Sequence, residues 1–207
     1  LFRSLYFRGP VLGRLQGQTW TSEETFAVAE NPTATGANAG ATVTYEVLLQ
    51  PHQRQWLLTL EMATQRPELP AGWSALQMRS MEWISQRPVV DALRYRASSQ
   101  LQNRHGTDVH PALLRTYLDL PPGLNPRTRE LAHQLLNDPT LVQGSSGQKV
   151  QAVLQRLRTG GYTYTLAPEL TGEHAADAFW FDAKEGFCEH IANAFVVLMR
   201  NMGIPAR

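Results

Sequence analysis

Cys188 is the single cysteine of the chain, and it stands in Glu185-Gly186-Phe187-Cys188-Glu189-His190 at the head of a long apolar run. A lone thiol has no partner for an intramolecular disulfide, which leaves packing or reactivity. Packing is the general default, because free cysteine is among the most buried residue types. Position argues for reactivity. Gly186 permits a sharp turn, and Ile191-Ala192-Asn193-Ala194-Phe195-Val196-Val197-Leu198-Met199 then reads as a helix. A thiol in the first turn of that helix sits among amides without intrahelical partners, at the positive end of the macrodipole. Such a setting favours thiolate, the nucleophilic form. On these grounds alone both roles stay open.

A resemblance narrows the choice. Phe179-Trp180-Phe181-Asp182-Ala183-Lys184-Glu185-Gly186-Phe187-Cys188-Glu189-His190-Ile191-Ala192, closed by Asn201-Met202-Gly203-Ile204-Pro205-Ala206-Arg207, resembles the nucleophile segment of the transglutaminase-like superfamily. The start of the chain, Leu5-Tyr6-Phe7-Arg8-Gly9-Pro10-Val11-Leu12 and then Leu15-Gln16-Gly17-Gln18-Thr19-Trp20, is similar to the extracytoplasmic part of bacterial membrane proteins of that superfamily, the TgpA type. The resemblance implies an α+β architecture: an N-terminal antiparallel, sandwich-like β domain, then the helical first half of a papain-like core. It also implies a Cys-His-Asp triad in that chain order, with Cys188 as nucleophile and the His and Asp beyond Arg207, so that the chain is expected to be a fragment. Membrane helices flanking the region and a periplasmic location at the inner membrane are implied in the same way. So are a protein or peptide substrate and a missing C-terminal segment as partners.

If Cys188 is the nucleophile, it attacks an amide carbonyl to give a thioester, which an amine or water resolves. The motif leaves transamidation and papain-like hydrolysis both open, as well as a non-catalytic peptide-binding module on the same fold. The oxyanion needs fixed donors. The backbone amide of Cys188 is one, and the Trp180 indole is a candidate second, although a Trp in Phe179-Trp180-Phe181 also reads as core. Tyr164 is a further candidate. His190 is two residues along the helix from Cys188, a rotation of roughly 200° that turns it away. His174 lies in a polar loop. Asp182 and Glu185 suit the positive end of the helix, and Glu189 reads as a cap or surface residue.

Other chemistry finds no support. The six His with one Cys show no zinc spacing, and His105 and His110 read as loop residues. Gly144-Ser145-Ser146-Gly147 lacks the Lys-Ser/Thr ending of a phosphate loop. Trp73 and Trp83 read as packing for a strand layer. No cofactor is implied. A net charge of +1, with 17 scattered Arg and 2 Lys, gives no reason to invoke nucleic acid. The apolar content of 43% and charged content of 18% describe an ordinary globular chain. No stretch of about 18 apolar residues spans a membrane.

The elements that must position Cys188 fall into two stretches, a β-rich domain at 1–110 and the transglutaminase-like part at 111–207. Val43, Tyr45, Val47 and Leu49 alternate with Thr44, Glu46 and Gln50, and Trp56, Leu58, Leu60 and Met62 alternate with Thr59 and Glu61. Two period-2 runs around a short polar break predict an antiparallel hairpin, with a further strand at 89–97. Residues 31–40 read as a loop. Past Pro121-Pro122-Gly123, Asn125 is expected to cap a helix with Pro126 at its first position. Ser145-x-x-Gln148 is a capping box for a second helix that ends at Gly160-Gly161, followed by a short strand at Tyr162-Thr163-Tyr164-Thr165-Leu166. The Cys188 helix, apolar nearly all round, is expected to be buried.

Overall fold

The computed structural model describes residues 6–22, 41–61, 63, 65–78, 80–100, 111–169 and 172–207. The 31–40 stretch, Leu5, Met62, His105 and His110 lie outside the described residues. The fold is α+β, with antiparallel strands first and helices after. Two compact units form, Leu1–Val11 with Ser22–Asp108, and Leu12–Thr21 with Val109–Arg207. The expected break near residue 110 thus misses one exchange: residues 12–21 fold with the second unit.

The strands in chain order are β1 (Phe7–Arg8), β2 (Arg14–Gln16), β3 (Thr19–Thr21), β4 (Thr42–Leu49), β5 (Trp56–Leu57), β6 (Thr59–Leu60), β7 (Ala75–Gln77), β8 (Trp83–Ser85) and β9 (Leu93–Gln100). β4 shows the alternation that its sequence predicts, with Val43, Tyr45, Val47 and Leu49 turned inward. Its partner is a different strand from the one expected. β4 pairs antiparallel with β9, from Thr42 opposite Gln100 to Leu49 opposite Leu93. The 56–60 stretch splits: β5 pairs with β8, and β6 pairs with β1. Leu57, Thr59 and Leu60 are all buried, so this stretch has no solvent face to offer a hairpin. It packs with the β4–β9 sheet through side chains instead. Tyr95 Oη donates to the Leu58 carbonyl at 2.6 Å, Leu60 N–H donates to Tyr45 Oη at 2.6 Å, and Ser99 Oγ donates to the Leu60 carbonyl at 2.6 Å. The strand expected at 89–97 begins later, because the buried Val89 exchanges backbone bonds with the turn at 52–54.

The second unit comprises the β2–β3 hairpin, α1 (Pro111–Thr116), α2 (Pro126–Asn137), α3 (Ser146–Thr159), β10 (Thr163–Tyr164), α4 (Ala175–Asp177), a π-helical turn over Ala178–Ala183, β11 (Glu185–Gly186) and α5 (Cys188–Asn201). The capping box of α3 is as its sequence predicts, with Ser145 N–H donating to Gln148 Oε1 at 2.8 Å and Gln148 N–H to Ser145 Oγ at 3.3 Å. Asn125 departs from expectation. It precedes α2 in a left-handed conformation (φ 51°), and its side chain caps α4, accepting from the amides of Ala176 at 2.9 Å and Asp177 at 3.3 Å. The start of α2 is capped in return by Asp177, which accepts from Arg127 N–H at 3.0 Å, Thr128 N–H at 2.7 Å and Thr128 Oγ1 at 2.6 Å. Each helix lends the other its cap.

α5 buries Ala194, Val197, Leu198, Met199 and Met202 against Leu131 and Ala132 of α2, Val153 of α3, and Phe179 and Trp180. It is less enclosed than its composition suggests: Ile191, Phe195 and Val196 are half-buried and Ala192 is exposed. Its end is a Schellman motif, in which Gly203 takes φ 73°, its N–H donates to Arg200 O at 3.0 Å, and Ile204 N–H donates to Met199 O at 2.9 Å.

Two expectations follow. Asp177→Ala removes the acceptor for three donors and lowers stability to urea by about 2–3 kcal/mol, with Asp177→Asn losing less. Burial pushes the phenols of both Tyr45 and Tyr95 above their usual range, and the neighbouring Tyr45 adds to the rise at Tyr95. A folded-state value above the unfolded one means stability that is complete below about pH 10 and lost as pH rises beyond it. In an alkaline titration followed by tyrosinate absorbance, these two of the six tyrosines should ionise only as the β unit unfolds.

Candidate active site

The approach to Cys188 is built from two unusual backbone positions. Lys184 is left-handed at φ 50°, and Gly186 follows at φ 159°. The Gly186 requirement is steric as well as conformational: a Cβ there would meet His190 Cβ at 2.6 Å. The short parallel pair β10–β11 supports the turn, with Thr163 opposite Glu185 and Tyr164 opposite Gly186. Thr163 N–H donates to Lys184 O at 2.9 Å and Thr165 N–H to Gly186 O at 3.0 Å. Phe187 is the extended N-cap residue of α5 and offers its amides no side-chain acceptor. Cys188 is the first helical residue, and it is exposed. Glu189 occupies the first turn and is exposed as well.

The other residues singled out from sequence separate into near and far. Tyr164 is 61% exposed beside the Gly186 turn. Trp180 is fully buried, with its indole N–H donating to Ala194 O at 3.1 Å and its ring edge-on to Phe179 at 5.5 Å. That donor is spent inside the core, which corrects the oxyanion assignment. His190 packs edge-to-face on Phe187 at 4.5 Å, and its Nδ1 is buried without a partner among the described residues. His174 Nδ1 accepts from Asn125 N–H at 3.2 Å. Asp182 lies in the π-helical turn and makes a two-pronged ion pair with Arg127 at 2.8 and 2.9 Å, while the Arg127 guanidinium covers the Phe181 ring. It serves that turn instead of the start of α5. Glu185 is half-buried in β11.

Sequence reasoning passed over Asn193 and Arg200, both on α5. Trp20 Nε1–H donates to Asn193 Oδ1 at 2.8 Å. Arg200, 4% exposed, donates to the carbonyls of Ala206, Asp119 and Gly13 at 2.9, 2.8 and 2.7 Å. A charged residue closing the run Val197-Leu198-Met199 was the available signal. Among the described residues no group of three His, Cys, Asp or Glu side chains is placed to hold a metal ion, and no helix is long and apolar enough to cross a membrane.

The site thus presents an exposed thiol on the first residue of α5, reached through a glycine turn, in a chain that also carries an antiparallel β unit. Residues 130–207 match the transglutaminase-like superfamily, and residues 3–105 match the TgpA N-terminal domain. A protein-glutamine gamma-glutamyltransferase of Pseudomonas aeruginosa is 32% identical over 98% of this chain, which spans 29% of that protein's length. The uncharacterized protein YebA of Bacillus subtilis is 36% identical over 94 residues, 44% of this chain and 12% of its own. The crystal structure of the periplasmic domain of TgpA from Pseudomonas aeruginosa superposes with a TM-score of 0.83 at 30% identity, covering 97% of this chain and 66% of that one. The same domain bound to ethylmercury gives 0.78 at 31% identity, covering 97% and 67%. The chain belongs to the transglutaminase-like superfamily, as part of a periplasmic domain of the TgpA type.

Gly186→Ala places a Cβ against His190 in a backbone conformation that disfavours it. The variant should lose more than about 2 kcal/mol in urea unfolding. A stability within error of the parent would show that the turn has room to relax.

Proposed function

We propose that Cys188 is the nucleophile of a transglutaminase-like acyl transfer acting on glutaminyl side chains of protein or peptide substrates. The observation that carries this reading is the exposed thiol on the first helical residue, behind a turn that Gly186 alone accommodates. The thiolate adds to the carboxamide carbon, and the backbone amide of Cys188 donates to the developing oxyanion. Collapse expels ammonia, protonated by a general acid, and leaves a thioester. A primary amine then attacks the thioester carbon, forming a substituted amide and returning the thiol. Water in its place gives a carboxylate. The name of the Pseudomonas relative supports the amine route. With the Trp180 indole committed, the exposed Tyr164 hydroxyl is the side-chain candidate for a second oxyanion donor.

On this reading the general base belongs to a part of the parent protein outside these 207 residues: His174 Nδ1 already accepts from Asn125 N–H, and His190 sits two residues along the helix from Cys188, a rotation of about 200° away from the thiol. Anchoring through membrane helices flanking the region belongs to the same reading. The test uses a glutaminyl peptide and a fluorescent primary amine. The parent periplasmic domain should form the adduct and release ammonia, Cys188→Ala should abolish both, and the 207-residue chain alone should do neither. Adduct formation that survives Cys188→Ala overturns the assignment. Turnover by the short chain that depends on Cys188 would instead place the base within it. Ethylmercury, which binds the solved relative, should label native Cys188 with one equivalent, because the thiol is exposed and is the only one.

A further inference from the structure

The β2–β3 hairpin falls within the span matched by the TgpA N-terminal domain, yet residues 12–21 fold with the unit that carries Cys188. Its turn is tight, with Gly17 at φ 58° and Arg14–Gln16 paired to Thr19–Thr21. Two anchors join it to α5. Near the start of the helix, the Trp20 indole donates to Asn193 Oδ1 at 2.8 Å. At the helix end, Arg200 donates to Gly13 O at 2.7 Å and lies over the Trp20 ring at 4.8 Å. The anchored residues are seven apart, about 10.5 Å along the axis, and Asn193 is about 7.5 Å from Cys188. Apolar packing and the Trp180 indole on Ala194 O seat α5 in its groove, and further directional bonds narrow the small rotations that packing tolerates. Hydrogen bonds are directional, and a rotation of one residue, about 100°, would carry Asn193 out of reach of the Trp20 indole. Cys188 itself is exposed, so the direction its thiol faces is inherited from the azimuth of α5.

We infer that residues 12–21 are a strap that fixes the rotation of the nucleophile helix, with Trp20 and Asn193 as positioning residues for Cys188. This rests on the proposed role of Cys188 only for its consequence in catalysis. The strap itself is tested without reference to activity, so the two readings can fail separately. The experiment is residue-resolved hydrogen exchange on the 207-residue chain carrying Trp20→Phe, Asn193→Ala, both together, or Asn193→Asp. Trp20→Phe keeps a ring beneath Arg200 and removes only the donor. Each of the first two variants should speed exchange at amides 191–195 about fivefold, the effect expected of one side-chain hydrogen bond. Amides 197–200 should be unchanged. The double variant should add nothing to either single one, and Asn193→Asp, which keeps an acceptor, should stay near the parent. Uniform acceleration along all of α5, additive effects in the double variant, or unchanged exchange would each overturn the strap.

Discussion

The guanidinium of Arg200 is where the second unit closes. Three segments distant in sequence end on it: the strand-entry residue Gly13, Asp119 in the connector after α1, and Ala206 in the closing Gly-Ile-Pro-Ala-Arg motif. Planar guanidinium suits this task because its donors point in fixed directions to separate acceptors. Buried carbonyls left without donors would each carry a desolvation penalty of about 1–3 kcal/mol, so the three segments are held by what their alternatives lack. The closing motif gains further hold from Tyr117, whose carbonyl accepts from Ala206 N–H at 3.1 Å and whose hydroxyl accepts from Arg207 at 2.6 Å. A motif that looks like a terminal signature in sequence is physically a tie.

The same unit joins its helices by exchanging caps. Asn125 serves α4, and Asp177 serves α2. Because the carboxylate and the amide each satisfy donors on the other helix, the two N-termini are held in a fixed relation that apolar contact would leave loose. That relation passes forward along the chain. α4 runs into the π-helical turn, the turn into Lys184 and Gly186, and these into Cys188. The Arg127–Asp182 pair adds a second tie between α2 and the π-helical turn. Being exposed on both sides, it is worth little in stability, and its geometric role is the greater one.

Local signals were legible in the sequence and long-range ones were not. The capping box of α3, the period-2 face of β4 and the helix headed by Cys188 depend on residues within a few positions of each other, and all three are present. The partner of β4 was hidden because pairing is decided by distant segments: Leu57, Thr59 and Leu60 of the 56–60 stretch are buried, and its two short strands pair with β8 and β1. Asn125 was legible as a cap but not as the cap of another helix, since its acceptor meets amides 51 and 52 residues away. Trp180 carried the right atom for an oxyanion donor, and only the fold reveals that Ala194 already holds it. Trp20 and Asn193, 173 residues apart, had no local sign of their bond at all. The exposed thiol at a helix start was readable because its setting is local; the contacts that hold its helix were not, because they are tertiary.

The starts of α2, α3 and α4 differ from that of α5. α2, α3 and α4 have side-chain acceptors for their first amides, from Asp177, Ser145 and Asn125. α5 begins at Phe187, which offers none. Omitting a good cap costs about 1 kcal/mol, and stability alone would favour Ser, Asp or Asn at that position. A side-chain oxygen there would accept from the amides of Glu189 or His190 and would set the negative end of a dipole near the thiol. Without such a cap the positive end of α5 is left open beside the exposed Cys188 thiol. The stability given up at the head of α5 is recovered at its tail, where Val197, Leu198, Met199 and Arg200 are buried and the Schellman motif closes the last turn. A buried tail and a bare head on one helix reconcile a fixed scaffold with an accessible thiol.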